Sequence, residues 1–341
     1  MKIAIIVNPL IPVPPEKYGG IERIVYLLIR ELIQDGHEVV LFAHKDSHAG
    51  CRLVSYRESA FYTFMDLMCI NLRMSSILFR KFDLVHTFGR MSNIAVLMPA
   101  KIPKIVSYQL PPTLTQIKKA MRLAYPGSLF FTACSEHIAE EIRPYGTVET
   151  IFNGVDPRDY QFKDQVKPDG PLVFLGRIQH EKGTAIAIQI ALETKRKLII
   201  AGNIPAEQHH QQYFAEKVQP WIDGKQIQYI GAVNDVEKSV LLGEAAALLM
   251  PVQWAEPFGI VMTEALACGT PVIGFGLGAV PEVVENGVTG FVCDSIEEMI
   301  SAVYALPTLN RGVCRESVEK KFSAAVLGRQ YIALYKRVVS K

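Results

Sequence analysis

Two short stretches of this chain hold residue types at spacings suited to anion and sugar chemistry. Residues 176–183 read Gly-Arg-Ile-Gln-His-Glu-Lys-Gly, which sets Arg177 and Lys182 five positions apart between two glycines. Cations so placed in a strand-to-helix turn are suited to clamping a diphosphate. A charged loop facing solvent is the competing reading of the same residues. Residues 256–264 read Glu-Pro-Phe-Gly-Ile-Val-Met-Thr-Glu. Pro257 and Gly259 lead into residues 260–268, which have helical spacing, so Glu264 falls on the first turns of a helix and Glu256 in the loop ahead of it. A carboxylate in the loop can accept hydrogen bonds from sugar hydroxyls, and one on the helix from a ribose. The N–H groups of Phe258, Gly259 and Ile260 would meet phosphate. Complementing the helix dipole accounts for Glu264, but not for Glu256 or the Pro-Phe-Gly turn.

A weaker signal lies near the N-terminus. Tyr18-Gly19-Gly20-Ile21-Glu22 precedes a helical pattern, and its two glycines let the backbone approach an anion at a helix N-terminus. A tight turn without ligand fits equally well. No G-x-G-x-x-G follows the first apolar run, which argues against a nicotinamide enzyme.

Open α/β sheets bind ligands at the carboxyl ends of their strands, so these turns need sheets to hold them. Residues 2–8 form a nearly continuous apolar run, the mark of a strand buried on both faces of a parallel sheet. Ile21, Ile24, Val25, Leu28 and Leu32 then share one helical stripe, Asp35-Gly36 stops that helix, and residues 38–42 form the next strand. This is a βαβ unit. Residues 82–86, 104–108 and 129–133 continue the alternation, and residues 59–81 read as an apolar helix or helix pair. Residues 154–170 lack periodicity and read as an interdomain linker. A second series follows, with strands expected at 171–175, 197–200, 227–230, 247–250 and 271–273. The fold class is therefore α/β, with two Rossmann-like βαβ domains facing a central cleft. The domains are placed at residues 1–160 and 171–323. In the last periodic stretch, Ala324, Leu327, Tyr331, Leu334, Tyr335 and Val338 recur at three- and four-residue intervals. That helix, over 324–341, is expected to cross back onto the N-terminal domain, forming a hinge about which the cleft closes.

Composition excludes several classes. The 341 residues carry 36 Lys+Arg against 34 Asp+Glu, so charge implies no polyanionic partner such as nucleic acid. An apolar content of 49% excludes disorder. No uncharged run suits a spanning helix, and the N-terminal apolar run reads as a strand rather than a signal peptide. The six cysteines show no C-x-x-C pair and read as reduced thiols, which places the protein in the cytoplasm.

Taken in order, these segments resemble the retaining group-1 glycosyltransferases, whose fold is GT-B and whose mark is a pair of glutamates with seven residues between them, as Glu256 and Glu264 have. Gly19-Gly20-Ile21-Glu22 resembles the family's glycine loop, and Gly36-His37-Glu38-Val39 the entry to its second strand. Ile151-Phe152-Asn153-Gly154-Val155-Asp156 resembles the close of its N-terminal domain, and Arg177 through Lys182 its diphosphate clamp. Residues 264–271, 278–282 and 287–291 complete the C-terminal signature. The resemblance implies metal-independent hexosyl transfer from a nucleotide sugar, a UDP-sugar above all, with the anomeric configuration kept. It assigns Arg177 and Lys182 to the leaving diphosphate, Glu264 to the ribose and Glu256 to the donor sugar, with Gly19 and Gly20 beside the donor. It places the donor in the C-terminal domain and the acceptor on the N-terminal one, and implies no cofactor and no metal site.

One position departs from the pattern. Many members carry a histidine at the end of the strand corresponding to 104–108, where this chain has Gln109. Glutamine hydrogen-bonds a sugar hydroxyl but is no general acid or base. His86, ending the preceding strand, is the nearest histidine candidate beside the reacting sugar, and a histidine bonded to a neighbouring loop is the other reading. His37, in a turn at the opposite end of the sheet, reads as structural. A nucleotide-sugar epimerase on the same scaffold is the alternative activity. The acceptor, whether small molecule, glycan or lipid-linked, is not specified. Tyr56, Arg57, Phe61, Tyr62 and Phe64, with Lys118, Lys119, Arg122 and Tyr125, suit either peripheral membrane contact or a solvated face beside a core helix.

Overall fold

The computed structural model describes residues 1–15, 19–56, 63–79, 81–167 and 169–340. Tyr18, Arg57, Phe61, Tyr62 and the start of the apolar stretch at Ser59 fall outside the described residues. The chain divides into two units, Met1–Asn153 with Ala324–Lys341, and Gly154–Ser323.

The first unit holds seven parallel strands: β1 (Lys2–Ile6), β2 (Glu38–Ala43), β3 (Arg52–Ser55), β4 (Leu84–Thr87), β5 (Lys104–Tyr108), β6 (Leu129–Ala133) and β7 (Val148–Thr150). Their order in the sheet is β3-β2-β1-β4-β5-β6-β7. Burial on both faces explains why β1 and β6 are nearly continuous apolar runs rather than alternating ones, and β4 and β5 carry buried polar residues at His86, Thr87 and Ser107. Helices α1 (Gly20–Gln34), α2 (Phe64–Leu78), α3 (Leu114–Leu123) and α4 (Glu136–Ile142) connect them, with a 3₁₀ segment at Met91–Leu97. A capping box opens α2, with the Asp66 N–H donating to Thr63 Oγ1 and the Thr63 N–H donating to the Asp66 carboxylate.

The final helix, Ala324–Val339, belongs to this unit and packs on α1. It buries Leu327, Tyr331, Leu334, Tyr335 and Val338. Two of its tyrosines also enter a polar network at the centre of the sheet. Tyr335 Oη lies 2.5 Å from His86 Nδ1, and His86 Nε2 lies 2.6 Å from Ser107 Oγ. Ser107, Thr132 and Tyr331 close a triangle of hydroxyls at 2.5, 3.0 and 3.2 Å. A neutral histidine and four hydroxyls supply five protons to these five contacts. All five are satisfied only when Nε2 donates to Ser107 and Nδ1 accepts from Tyr335.

The second unit holds six parallel strands, β8 (Leu172–Leu175), β9 (Leu198–Ala201), β10 (Ile227–Tyr229), β11 (Ala247–Met250), β12 (Val272–Phe275) and β13 (Gly290–Cys293), in the order β10-β9-β8-β11-β12-β13. Its helices are α5 (Thr184–Glu193), α6 (Gln208–Tyr213), α7 (Asp235–Glu244), α8 (Ile260–Ala267), α9 (Val280–Val283), α10 (Ile296–Ala305) and α11 (Arg311–Ser317). Leu172, Phe174, Ile190, Leu198, Leu249 and Ile273 lie in its core.

The stretch 154–170, expected to be an interdomain linker, is held against the second unit. Val155 pairs with Ser323, the Gln161 N–H donates to Ser239 Oγ at 2.8 Å, and the Lys163 N–H donates to the Cys268 carbonyl at 3.1 Å. A segment without hydrophobic period still lies fixed when the body beneath it satisfies its backbone groups. It is part of the second unit, and the division falls after Asn153. All six cysteines are free, and among the described residues no helix is long and apolar enough to cross a membrane.

Candidate functional site

The site of the second unit is built from the loops that follow β8 and β11. Beyond β8, the turn carrying Arg177 and Lys182 ends at Gly183, which caps α5 with φ +75°. A Cβ on Gly183 would stand 1.9 Å from the Pro251 carbonyl oxygen, so only glycine lets this turn lie against the chain leaving β11. Two hydrogen bonds from Gln253 then join the loops, from its N–H to the Glu181 carbonyl at 2.8 Å and from Nε2 to the His180 carbonyl at 2.7 Å.

This approach brings Lys182 to Glu256. The ammonium lies 2.6 Å from Glu256 Oε2, which also accepts from Trp254 Nε1 at 2.8 Å, and it stands 5.0 Å from the centre of the indole ring. The backbone of Glu256 is held by the turn after β12, where the Ala279 N–H donates to the Glu256 carbonyl at 2.8 Å. Gly278, at φ +63°, sits so close that a Cβ would come within 2.4 Å of the Glu256 backbone.

Gly259 caps α8, and Glu264 lies on that helix, 5% exposed. Its Oε1 accepts from Lys238 Nζ at 2.6 Å and from the Tyr160 hydroxyl at 2.9 Å. Lys238 also pairs with Asp235 at 3.0 Å. The two glutamates share one pattern. In each, one oxygen holds two donors, a lysine and an aromatic side chain, while no donor among the described residues reaches Glu256 Oε1 or Glu264 Oε2. The N–H groups of Gly259 and Ile260 likewise meet no acceptor among the described residues, as befits the start of a helix. Phe258 is buried, its ring centre 6.1 Å from that of Phe322.

Arg177, Lys182, Glu256, Phe258, Gly259, Ile260 and Glu264 thus all belong to one unit, while Gly19, Gly20, Gln109 and His86 belong to the other. Gly19 caps α1, and a Cβ there would meet Pro15 Cβ at 2.6 Å and Glu22 Oε2 at 3.0 Å. Burial pushes the Glu22 carboxyl up from its ordinary value. Gln109 is half-buried, and its Oε1 accepts from Asn153 Nδ2 at 2.7 Å. His86 corrects the expectation that placed it beside a reacting sugar. It is wholly buried, both ring nitrogens are taken within the first unit, and burial lowers its pKa from 6.5 to about 3.

Sequence reasoning missed three members of the site. Trp254, two residues before Glu256, was within reach of a local reading of the motif. Lys238 and Tyr160 reach Glu264 from 26 and 104 residues away, with no local signal.

Residues 18–159 match the model described as Glycosyltransferase Family 4, and residues 158–306 that of Glycosyl transferases group 1. Glycogen synthase of Mycobacterium tuberculosis is 30% identical over 172 residues, covering 47% of this chain and 40% of that protein, so the chain spans less than half the length of this curated relative. AviGT4, a glycosyltransferase involved in avilamycin A biosynthesis, superposes with a TM-score of 0.74 at 25% identity, over 99% of this chain and 98% of its own. HepE of Anabaena, solved in complex with UDP-glucose, has a TM-score of 0.75 at 16% identity, over 98% of this chain and 99% of its own. Two glycosyltransferase models follow one another along the chain, over two parallel Rossmann-like sheets shared with GT-B structures. The chain carries a Glycosyltransferase Family 4 domain followed by a group 1 glycosyltransferase domain.

Proposed function

We propose that this chain transfers a glycosyl unit from a nucleotide sugar, a UDP-sugar first of all, to an acceptor, keeping the anomeric configuration and using no metal. The observation that carries this reading is that both glutamates beside the N-terminus of α8 are half-saturated among the described residues. Glu264 Oε2 is the acceptor for ribose hydroxyls, and Glu256 Oε1 the acceptor for a hydroxyl of the donor sugar. Lys182 gives one proton to Glu256 and keeps others for a diphosphate oxygen, joined by Arg177 on the same turn. The N–H groups of Gly259 and Ile260 extend this cradle. Charge developing on the leaving diphosphate is stabilised by side chains already in place, the largest contribution such chemistry draws on. Two cations and a helix N-terminus take the part a divalent ion plays elsewhere. The second unit serves the donor and the first the acceptor, with Gln109 the first unit's candidate beside the reacting sugar. HepE, of the same fold, holds UDP-glucose, which supports the choice of nucleotide.

A thermal-shift panel of UDP-, GDP- and ADP-sugars identifies the donor, since a bound ligand raises the midpoint by mass action. Product analysis with that donor then separates the activities. Free nucleotide plus a glycoside of unchanged anomeric configuration is the expected result. An altered sugar nucleotide with no nucleotide released would establish the epimerase instead.

A further inference from the structure

The first unit carries a surface that combines exposed apolar side chains with unbalanced positive charge. The connections β3-α2-β4, β4-β5 and β5-α3-β6 all step across the sheet in one direction, so α2, the 3₁₀ segment Met91–Leu97 and α3 lie on one sheet face. The 3₁₀ segment packs between the two helices.

Helix α2 is apolar on two sides. Ile70, Met74 and Ile77 are buried. At about 100° per residue, Phe64, Met65, Met68, Leu72 and Phe79 fall in a second sector roughly 100° wide on the outer side. They are 73%, 62%, 54%, 75% and 88% exposed. Large side chains gathered this way mark an interaction site. Helix α3 buries Ile117 and Ala120 and turns Lys118, Lys119, Met121, Arg122 and Leu123 outward.

Charge names the partner. Residues 84–135 contain no aspartate or glutamate, although the whole chain is nearly balanced at 36 to 34. Of the six lysines and arginines in that stretch, Lys104 is buried with its ammonium on the Ala100 and Ile102 carbonyls. Arg90, Lys101, Lys118, Lys119 and Arg122 are exposed. We propose that this helical layer docks on an anionic lipid bilayer. The outer side of α2 enters the boundary between headgroups and acyl chains, and the five cations meet lipid phosphates. A second copy of the chain would bring the same positive charge against itself, and a nucleic acid would leave the apolar side of α2 uncovered. None of these residues belongs to the glutamate site, and the test needs no donor.

The full chain is sedimented with phosphatidylcholine vesicles and with vesicles containing about one third phosphatidylglycerol, at low and high salt. The expected result is partition at least tenfold stronger on the anionic vesicles, weakened by salt. M68S/L72S should lower it about tenfold at unchanged salt dependence. K118Q/K119Q/R122Q should lower it and flatten the salt dependence. All these side chains are exposed, so both variants should keep the wild-type thermal midpoint, which is measured alongside. Equal partition on neutral and anionic vesicles, no partition on either, or full binding by both variants overturns the proposal. So does a concentration-dependent dimer in light scattering that M68S/L72S abolishes.

Discussion

Two polar clusters, one in each unit, differ in how fully their groups are partnered. In the first unit, His86, Ser107, Thr132, Tyr331 and Tyr335 match five protons to five contacts, with nothing left over. In the second unit, Glu256 and Glu264 each have one oxygen crowded by two donors and one that meets none among the described residues. Buried polar groups are normally satisfied, and a closed set is a device for holding a fold together. A carboxylate held firmly by one oxygen and open at the other is oriented to accept something from outside the protein. Residue type does not separate the two clusters, because a histidine looks more catalytic than a glutamate–lysine pair. The count of unfilled acceptors does.

The sharpest way to break this contrast is to remove the cations of the turn after β8, one of which, Lys182, holds Glu256. Arg177→Ala or Lys182→Ala should lower kcat by about 10²-fold or more, the scale of one preorganised charge contact. Steady-state turnover near wild type in both variants would end the clamp assignment.

Next in size is the cost of forcing a sixth proton into the closed cluster. Burial keeps folded His86 neutral with a pKa of about 3, against 6.5 ordinarily, so an unfolded chain takes up a proton there that the folded one refuses. Its contribution to stability is complete above pH 6.5 and is lost as pH falls toward 3. Between pH 7 and 5 the wild type should lose about 2 kcal/mol that a His86→Asn variant does not. Urea midpoints of the two proteins that fall in parallel over that range would show the ring to be titrating freely.

The open cluster predicts a smaller, divided effect. Glu264→Ala should chiefly raise the donor KM, about tenfold, because ribose does not react, while Glu256→Ala should chiefly lower kcat. Lys238→Ala should follow Glu264→Ala, since Lys238 only holds the carboxylate in place. Identical effects of all three on both constants would erase the division of roles. The smallest expected change is none, with turnover unaffected by EDTA. A loss restored by Mg²⁺ or Mn²⁺ would return the diphosphate to a metal.

Much of this architecture is legible in the residues. The inner strands announce themselves because burial on both faces leaves little room for polar alternation, as in β1, β6 and β11. The strands left unread, β3, β7 and β13, are sheet edges: exposed Arg52 and half-buried Glu149 interrupt the apolar run in β3 and β7, and β13 is only four residues long and begins at a glycine. The turn that holds Arg177 and Lys182 and the loop-to-helix placement of Glu256 and Glu264 are legible as well, since helix starts and glycine turns are local events. Lys238 and Tyr160 are not, because they meet Glu264 through the stacking of separate segments. His86 misleads for the same reason, its partners Tyr331 and Tyr335 lying at the far end of the chain.

That distance has a consequence for how the protein is made. A ribosome delivers Met1–Asn153 first, then all of Gly154–Ser323, and only afterwards the helix that closes the first unit. At 5–20 residues per second the gap amounts to roughly ten to thirty seconds. Through that interval His86 has no Tyr335, and the Ser107–Thr132 pair has no Tyr331 to complete its triangle. The second unit, continuous in sequence, has every residue it needs before the first does. Chain elongation thus hands chaperones an N-terminal half that must wait, and the order of completion is the reverse of the order of synthesis.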